Sequence, residues 1–486
     1  MSSSPVVIGV DSSTQSAKAV VVDVVSGRVV ATGRAAHTVS GEGGARESDP
    51  EQWWRALAAA VGEALRGRDA RAVTGIAVAG QQHGLVVLDA AGRPLRPALL
   101  WNDTRAAPQA AALAGELGAD GWLARTGSVP VASMTAAKWR WLCEHEPRTA
   151  AAAAAVRLPH DFLTERLAGT AATDPGDASG TCWYATATGA YDPGLLDLLG
   201  LDGALLPAVA PSGATRVGSL TARAAGELGL PEGIAVAAGT GDNMAAAVGL
   251  GLGARGLLDH PVVSLGTSGT VFAATRTRPA TAALAGFAAT DGTFLPLGCT
   301  LNCTLAVDKV AALLGLDRED AAPGGEAVLL PYLDGERTPD LPRASGLLTG
   351  LRHATTRQQL LGAAYEGAVF TVLRVLDELP PAGADVPLRL IGGGARGRTW
   401  VETVRRLSGR PVVLPRAPEP VALGAAALAA GAATGEDPVA VASAWGGGAG
   451  EALPAVERDR ATWDRIAAAL PAAGALGARW EARTPG

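Results

Sequence analysis

Asp242 stands in the run Gly239-Thr240-Gly241-Asp242-Asn243, a carboxylate on a glycine-rich turn. Such a carboxylate can take the proton from an alcohol as its oxygen attacks phosphorus. It can equally cap the helix of small residues that follows. On the residues alone both duties stay open. A second carboxylate, Asp11, closes the apolar run 5–10 and precedes Ser12-Ser13-Thr14-Gln15-Ser16. A turn that offers hydroxyls and several backbone N–H groups after a strand is a concave anion site. Asp11 beside it could hold Mg²⁺, directly or through water, because Mg²⁺ prefers a carboxylate plus phosphate oxygens. The alternative is an ordinary turn with Asx capping. The same grammar returns at Gly266-Thr267-Ser268-Gly269, between the apolar runs 261–265 and 270–274. Gln82-His83 follows a third strand-like run, 73–79. Strand ends of this kind line ligand crevices in α/β folds, although a His there also serves as a satisfied structural residue.

The glycine patterns narrow the nucleotide chemistry. A Walker A loop needs Gly-Lys followed by Ser or Thr. The three lysines, Lys18, Lys138 and Lys309, each follow another residue type, so a P-loop is excluded. GxGxxG occurs twice, as 251–256 and as 392–397. The second follows an apolar run and precedes a helical pattern, as a dinucleotide fingerprint should. The acidic residue expected at the end of the next strand is missing, however, because 411–414 runs into Pro415-Arg416. What remains is a glycine turn at which backbone can approach a flat or anionic ligand.

Regular elements must position these residues. The runs 5–10, 19–25 and 28–35, joined by tight turns, predict an antiparallel meander. Asp49-Pro50-Glu51-Gln52 predicts a helix start, with Asp as N-cap, Pro in the first position and Gln in the third. Trp53, Trp54, Leu57, Ala60, Val61 and Leu65 form its buried stripe. A second set of strands is expected at 261–265, 270–274 and 293–297. Two strand–hydroxyl turn–strand units half a chain apart predict a duplicated fold with one unit per domain. The boundary falls near the turn 239–243, after the strand-like run 234–238. The Ala-rich run 150–156 reads as a helix, and the tail beyond 450 as one closing helix.

Bulk properties exclude other classes. With 48% hydrophobic and 18% charged residues in 486, the chain can bury more than one core. The net charge is −6 and no basic stripe is present, which argues against nucleic acid as a partner. Cys143, Cys182, Cys299 and Cys303 are too few for a disulfide framework. Cys299 and Cys303 lack a nearby His or third Cys to complete a zinc site. The first residues lack the pattern of a signal peptide, and the apolar run 421–433 is too short for a bilayer. A cytoplasmic protein without membrane association is expected.

Taken in order, these motifs resemble the FGGY carbohydrate kinases of the actin/hexokinase-like ATPase superfamily, most closely the xylulokinases. The resemblance runs from Ile8 to about Ala430. It includes Gly9-Val10-Asp11 with its hydroxyl turn, Gly80-Gln81-Gln82-His83-Gly84, Leu100-Trp101-Asn102-Asp103-Thr104-Arg105 and Thr135-Ala136-Ala137-Lys138-Trp139. Gly241-Asp242-Asn243, the run 264–269, Leu330-Pro331-Tyr332-Leu333-Asp334-Gly335-Glu336-Arg337-Thr338-Pro339 and Gly392-Gly393-Gly394-Ala395-Arg396 follow. The resemblance implies an α/β fold of two ribonuclease-H-like lobes with a cleft between them. The lobes would be 1–243 for the sugar and 244–450 for ATP, with 451–486 a helix packing back on the N-terminal lobe. It implies transfer of the γ-phosphoryl of ATP, with Mg²⁺, to the terminal hydroxyl of D-xylulose, giving D-xylulose 5-phosphate. Asp242 would be the base and Asp11 the organiser of Mg²⁺ and phosphates. Gln82, His83 and Asn243 would face the sugar, and Thr14, Gln15, Lys18, Thr267 and Ser268 the phosphates. Gly393 and Gly394 would approach adenosine, and a homodimer is expected by the same analogy.

Three departures stand out. Ser13 and Ser16 replace glycines of the first turn in many relatives, Gln82 replaces a Met common in xylulokinases, and Arg398 replaces an Asn that contacts the base. Three rival functions remain. Another FGGY kinase would act on ribulose, gluconate, fuculose or glycerol; Gln82-His83 with Trp101-Asn102-Asp103 favours xylulose, and a glycerol kinase would carry Arg-Glu near Gln82-His83. An NAD(P)-dependent oxidoreductase would use 392–397 but lacks the ribose acid. A non-catalytic ATP switch would share the hydroxyl turns without needing the sugar dipeptide.

Overall fold

The computed structural model describes residues 4–481 except 280, 340, 342, 343, 381 and 418. It divides into two compact units. The first comprises Met1–Leu258, Ala274–Leu295 and Ala417–Gly448, and the second Asp259–Ala273, Pro296–Arg416 and Ala449–Gly486.

In the first unit the expected meander forms. Val6–Ser12 pairs antiparallel with Ser16–Asp23, which pairs antiparallel with Val29–Ala36. Val73–Gly80 joins the other side of Val6–Ser12 in parallel, followed by Ala235–Ala237, also parallel, and by Arg216–Ser219, antiparallel. The short strand Thr240–Gly241 extends this sheet beside the end of Val73–Gly80. Within the second unit the pairings repeat: Phe294–Thr300, Gly269–Phe272 and Val262–Leu265 run antiparallel, Leu388–Ile391 and Val412–Pro415 parallel, and Gly450–Leu453 antiparallel. Two sheets with one order of strand senses make the duplication evident in backbone hydrogen bonding. Each unit is of the ribonuclease-H type.

The period-2 alternation of the first sheet sorts its side chains to two faces. Ile8, Val10, Ile76 and Val78 face the helix Pro50–Ala64, where Trp53, Leu57 and Val61 are fully buried. Asp49 caps that helix by accepting from Glu51 N at 3.0 Å. Gln52 turns outward instead of back to the cap: its Oε1 accepts from Thr38 N and Oγ1 at 3.1 and 2.8 Å. The helix start is thereby tied to the chain leaving the third strand.

Val7, Ala77 and Ala79 face the opposite way, against the alanines of the helix Pro420–Thr434. Small residues are needed because backbone meets backbone there. A Cβ on Gly9 would lie 2.0 Å from Ala422 O, and one on Gly75 2.7 Å from Ala429 O. The helix Asp242–Gly249 crosses the same helix through Gly249 and Gly424, whose absent Cβ atoms would sit 2.0 Å from Pro420 O and 1.8 Å from Ala245 O. The element that begins with Asp242 is therefore fixed by glycine contacts to a helix nearly two hundred residues later.

The compact units divide the chain differently from the expected lobes. Residues up to 258 and the segment 417–448 cluster with the first unit, because the helix Pro420–Thr434 completes its core. The closing helix was expected on the N-terminal lobe; instead 449–486 clusters with the second unit. Trp463 and Ile466 pack there with Val328, Leu330 and Tyr332, and Trp463 lies 4.6 Å from the Phe370 ring. The tail also opens with a strand, Gly450–Leu453, before its helix Arg460–Glu481. The Ala-rich run is a helix only over Pro147–Ala152 and continues into the strand Ala155–Arg157. Arg357–Leu376 is the one described helix long and apolar enough to cross a membrane, and 78% of its apolar window is buried inside the fold.

Two glycine substitutions test the close approach. Ala is preferred to Gly in a helix by about 1 kcal/mol, so Gly62→Ala, whose new Cβ meets nothing within 4 Å, should stabilise by that amount. Gly424→Ala gains the same propensity but drives a methyl into the Ala245 carbonyl. Overpacking of roughly 1–3 kcal/mol should outweigh the gain and lower the thermal midpoint. A raised midpoint for Gly424→Ala would contradict the helix contact described.

Candidate active site

In the first unit the sheet's strand ends gather most of the expected residues. Asp242 is the first residue of the helix Asp242–Gly249, and Gly241 occupies the N-cap position. From the first helical position the Asp242 carboxylate still serves a free N–H of the helix start. Asp242 Oδ1 accepts from Asn243 N at 2.7 Å and Asn243 Nδ2 at 3.0 Å. The same Asn243 Nδ2 reaches Gln82 Oε1 at 2.9 Å. Burial, and then the charges of Asp11 and Asp177, push the Asp242 pKa up to about 7, against the N–H groups of the helix start. The residue as a whole is partly buried.

Gln81 N bonds to Ser12 O at 3.0 Å, so the chain leaving Val73–Gly80 stays beside Asp11. His83 then adopts φ 64°, a left-handed conformation that non-glycine residues rarely take. Its surroundings hold it there. Nδ1 lies 3.0 Å from Gly180 O, while its carbonyl accepts from Thr135 Oγ1 and from the fully buried Lys138 Nζ at 3.3 and 3.1 Å. Its ring lies 5.6 Å from that of Phe287. A strained backbone fixed from both sides is the kind of feature that accompanies ligand sites.

Asp11 is 5% exposed and accepts from Ser13 Oγ at 2.6 Å. Burial raises its pKa, with Ser13 and Lys18 pulling it down. Lys18, its partner across the hairpin, forms an ion pair with Glu419 at 2.7 Å. Trp101 Nε1 donates to Thr14 Oγ1 at 3.1 Å, and Gln15 is exposed. Ser13 and Ser16 cost the turn nothing, because neither has a positive φ; the backbone freedom of glycine is not needed here. Among the described residues no group of three or more His, Cys, Asp or Glu could hold a metal.

Sequence reasoning passed over a buried polar layer beneath these residues. Asp174 and Asp177 are fully buried, and Asp177 Oδ2 lies 2.7 Å from Nδ1 of the equally buried His160. Thr240 Oγ1 donates to Asp174 Oδ2 at 2.8 Å. Burial disfavours the charged His160 ring, but Asp161, Asp177 and Asp174 outweigh it and raise its pKa to about 9. The signal was present in sequence: His160-Asp161 interrupts the apolar stripe of Leu158, Phe162 and Leu163, and a charged pair on a buried face needs partners.

The remaining expected residues lie in the second unit. Gly266 N bonds to Ser268 O at 3.1 Å across the hydroxyl turn, with Thr267 exposed and Ser268 partly so. Thr304, at the start of its helix, holds Gly266 O through its N and Oγ1 at 3.0 and 2.8 Å. The Glu336 carboxylate fixes the approach to that helix by accepting from Leu301 N and Asn302 Nδ2 at 2.5 and 3.1 Å. The glycine turn lies alongside. A Cβ on Gly394 would meet Leu265 Cβ at 2.7 Å, whereas one on Gly393 would meet nothing within 4 Å. Gly394 is thus required by packing, and Gly393 leaves open surface. Arg398 is exposed at the head of the next helix, 3.9 Å from Glu319.

Known proteins are similar to this chain in sequence and fold. The FGGY family of carbohydrate kinases matches with its N-terminal domain over residues 6–249 and its C-terminal domain over 262–433. The chain is 60% identical over 479 residues to a xylulose kinase of Streptomyces rubiginosus and 59% identical over 479 residues to one of Streptomyces coelicolor, in both cases over 97% of each chain. Among solved structures, a xyloylose kinase from Brucella ovis superposes with a TM-score of 0.87 at 32% identity, covering 98% of this chain and 99% of that one. A xylulose kinase from Bifidobacterium adolescentis does so with a TM-score of 0.81 at 34% identity, covering 96% and 99%. With both domain descriptions matched in order and full-length relatives at this identity, the chain belongs to the FGGY family of carbohydrate kinases.

Proposed function

We propose that this chain is an ATP-dependent kinase of D-xylulose, delivering the γ-phosphoryl group to the terminal hydroxyl to give D-xylulose 5-phosphate. The observation that carries the reading is Asp242, a carboxyl whose pKa is raised to about 7 and whose Oδ1 is held by Asn243. A group half-ionised near neutral pH is matched to taking a proton from an alcohol as the phosphoryl group arrives. We assign that proton to the other oxygen of Asp242. The choice of xylulose rests on the full-length relatives that bear that name and on Gln82-His83 with Trp101-Asn102-Asp103. His83 and Asn243 are assigned to the sugar.

Asp11 fits Mg²⁺. It is a buried carboxylate whose pKa is raised by burial, beside the Ser13 hydroxyl, and a cation there would favour its ionised form. With a single protein carboxylate, phosphate oxygens and water would complete the coordination. Asp11, with the Ser13 hydroxyl beside it, would hold the ion, which would supply positive charge to offset the charge developing on the transferred group. Lys18 and Thr14 in the first unit, and Thr267, Ser268 and Gly393 in the second, are assigned to the nucleotide and its phosphates. Lys18 must leave Glu419 to reach a phosphate, and the pair is exposed enough to allow it. A cytoplasmic homodimer completes the reading, on family analogy alone.

Three measurements follow from the assignment. Asp242→Asn should lower kcat by about 10²–10⁴ while leaving the KM for ATP within threefold; wild-type turnover would overturn the role of Asp242. Because the base must be ionised, kcat/KM for the sugar should rise with pH to a plateau above about 7. A rate that stays flat down to pH 5 would contradict a raised pKa. Finally, a coupled ADP-release assay across pentuloses, pentitols, hexonates and glycerol should give D-xylulose the highest kcat/KM. A higher value for another acceptor would reassign the substrate within the family.

A further inference from the structure

The kinase assignment leaves the buried layer below Gln82 without a task. Asp177 gives Oδ2 to His160, while its Oδ1 is buried with no hydrogen-bond partner among the described residues. Gln82 is only 4% exposed. Its Oε1 is taken by Asn243 Nδ2, and its Nε2 is also buried and unpaired. The two unpaired atoms belong side by side. A Cβ on Gly241 would lie 3.0 Å from both Asp177 Oδ1 and Gln82 Cδ, so only a glycine there lets the two side chains meet.

We propose that Asp177, held in place by His160, is a positioning residue: its free oxygen draws the Gln82 amide nitrogen and thereby fixes which end of that amide faces Asn243. The polarity follows from the donor and acceptor inventory. With the amide reversed, Gln82 would set its NH₂ against the NH₂ of Asn243 and its carbonyl against the Asp177 carboxylate. Both contacts would be repulsive inside a buried site, where such errors are costly. Held the observed way, Gln82 orients Asn243, and Asn243 orients Asp242. Gln82 then acts on the site through Asn243. Burial raises the Asp177 carboxyl, and the His160 ring opposes it. One segment also serves both neighbours of the sugar assignment, since Gly180 O holds His83 Nδ1 and Asp174 holds Thr240 beside Asp242.

The inference rests on the kinase reading, so wild-type turnover on the acceptor panel is measured first. A double-mutant cycle is then run on whichever acceptor the wild type prefers, and another preferred sugar changes the substrate but not the test. Asp177→Asn should lower kcat/KM for the sugar about tenfold with the KM for ATP unchanged. In a Gln82→Met background the same substitution should cost less than twofold, because the amide through which it acts is gone. An equal loss in both backgrounds, or normal kinetics in a folded Asp177→Asn protein, would overturn the proposal. If thermal unfolding shows that Asp177→Asn does not fold, Gln82→Glu decides. A carboxylate facing Asp177 should reduce kcat/KM at least tenfold below Gln82→Met, whereas Glu no worse than Met would refute a role exerted through Asp177.

Discussion

The backbone-to-backbone contact between the helix Pro420–Thr434 and the first sheet sets the rest of the site. Gly9 and Gly75 let that helix lie directly on the strands, and Gly249 with Gly424 lets the helix of Asp242 lie directly on it. A side chain at any of the four would push these layers apart. Such contacts have no flexible end to rotate away, so they define position more sharply than interdigitated side chains do. Asp11 and Asp242 are both placed through this one stack, Asp11 on the strand that contains Gly9 and Asp242 on the helix that contains Gly249. The burial and the neighbouring charges that raise the Asp242 pKa therefore depend on glycine packing against the distant helix Pro420–Thr434.

Around that frame the site is held by polar contacts that are nearly all internal. Lys138 and Thr135 grip the carbonyl of His83, Gly180 grips its ring, and Asn243 joins Gln82 to Asp242. This is how a positioning enzyme should look. Phosphoryl transfer asks little covalent chemistry of the protein and much exact placement of charge. The cost is a buried layer of Asp161, Asp174 and Asp177, offset by the raised pKa of His160 among them and by the capping N–H groups that serve Asp174.

Much of this was legible in the sequence, and the failures have physical reasons. The meander, the Trp-lined helix and the second set of strands follow from local periodicity, which tertiary contacts here reinforce. Residue types at strand ends marked Asp11, Gln82-His83 and Asp242. The expected lobes did not anticipate that the helix Pro420–Thr434 returns to the first sheet, because no local pattern announces which sheet an alanine-rich face will cover. The closing helix was misplaced for the same reason, since Trp463 fits whichever apolar surface the topology supplies. Gln82 was read as facing the sugar, and sequence gives no sign that its side chain also packs between Asn243 and Asp177. His160 and Asp177 are seventeen residues apart and become a pair only when the segment 174–180 folds under the strand ends.

The central claim is that this environment holds the Asp242 carboxyl near neutrality. It is tested most directly by carbon-13 NMR of aspartate-labelled protein, with Asp242→Asn identifying the resonance. The account predicts a carboxyl signal that titrates with a midpoint near 7 and is missing from the variant. A midpoint near 4, the ordinary value for an aspartate, would contradict it.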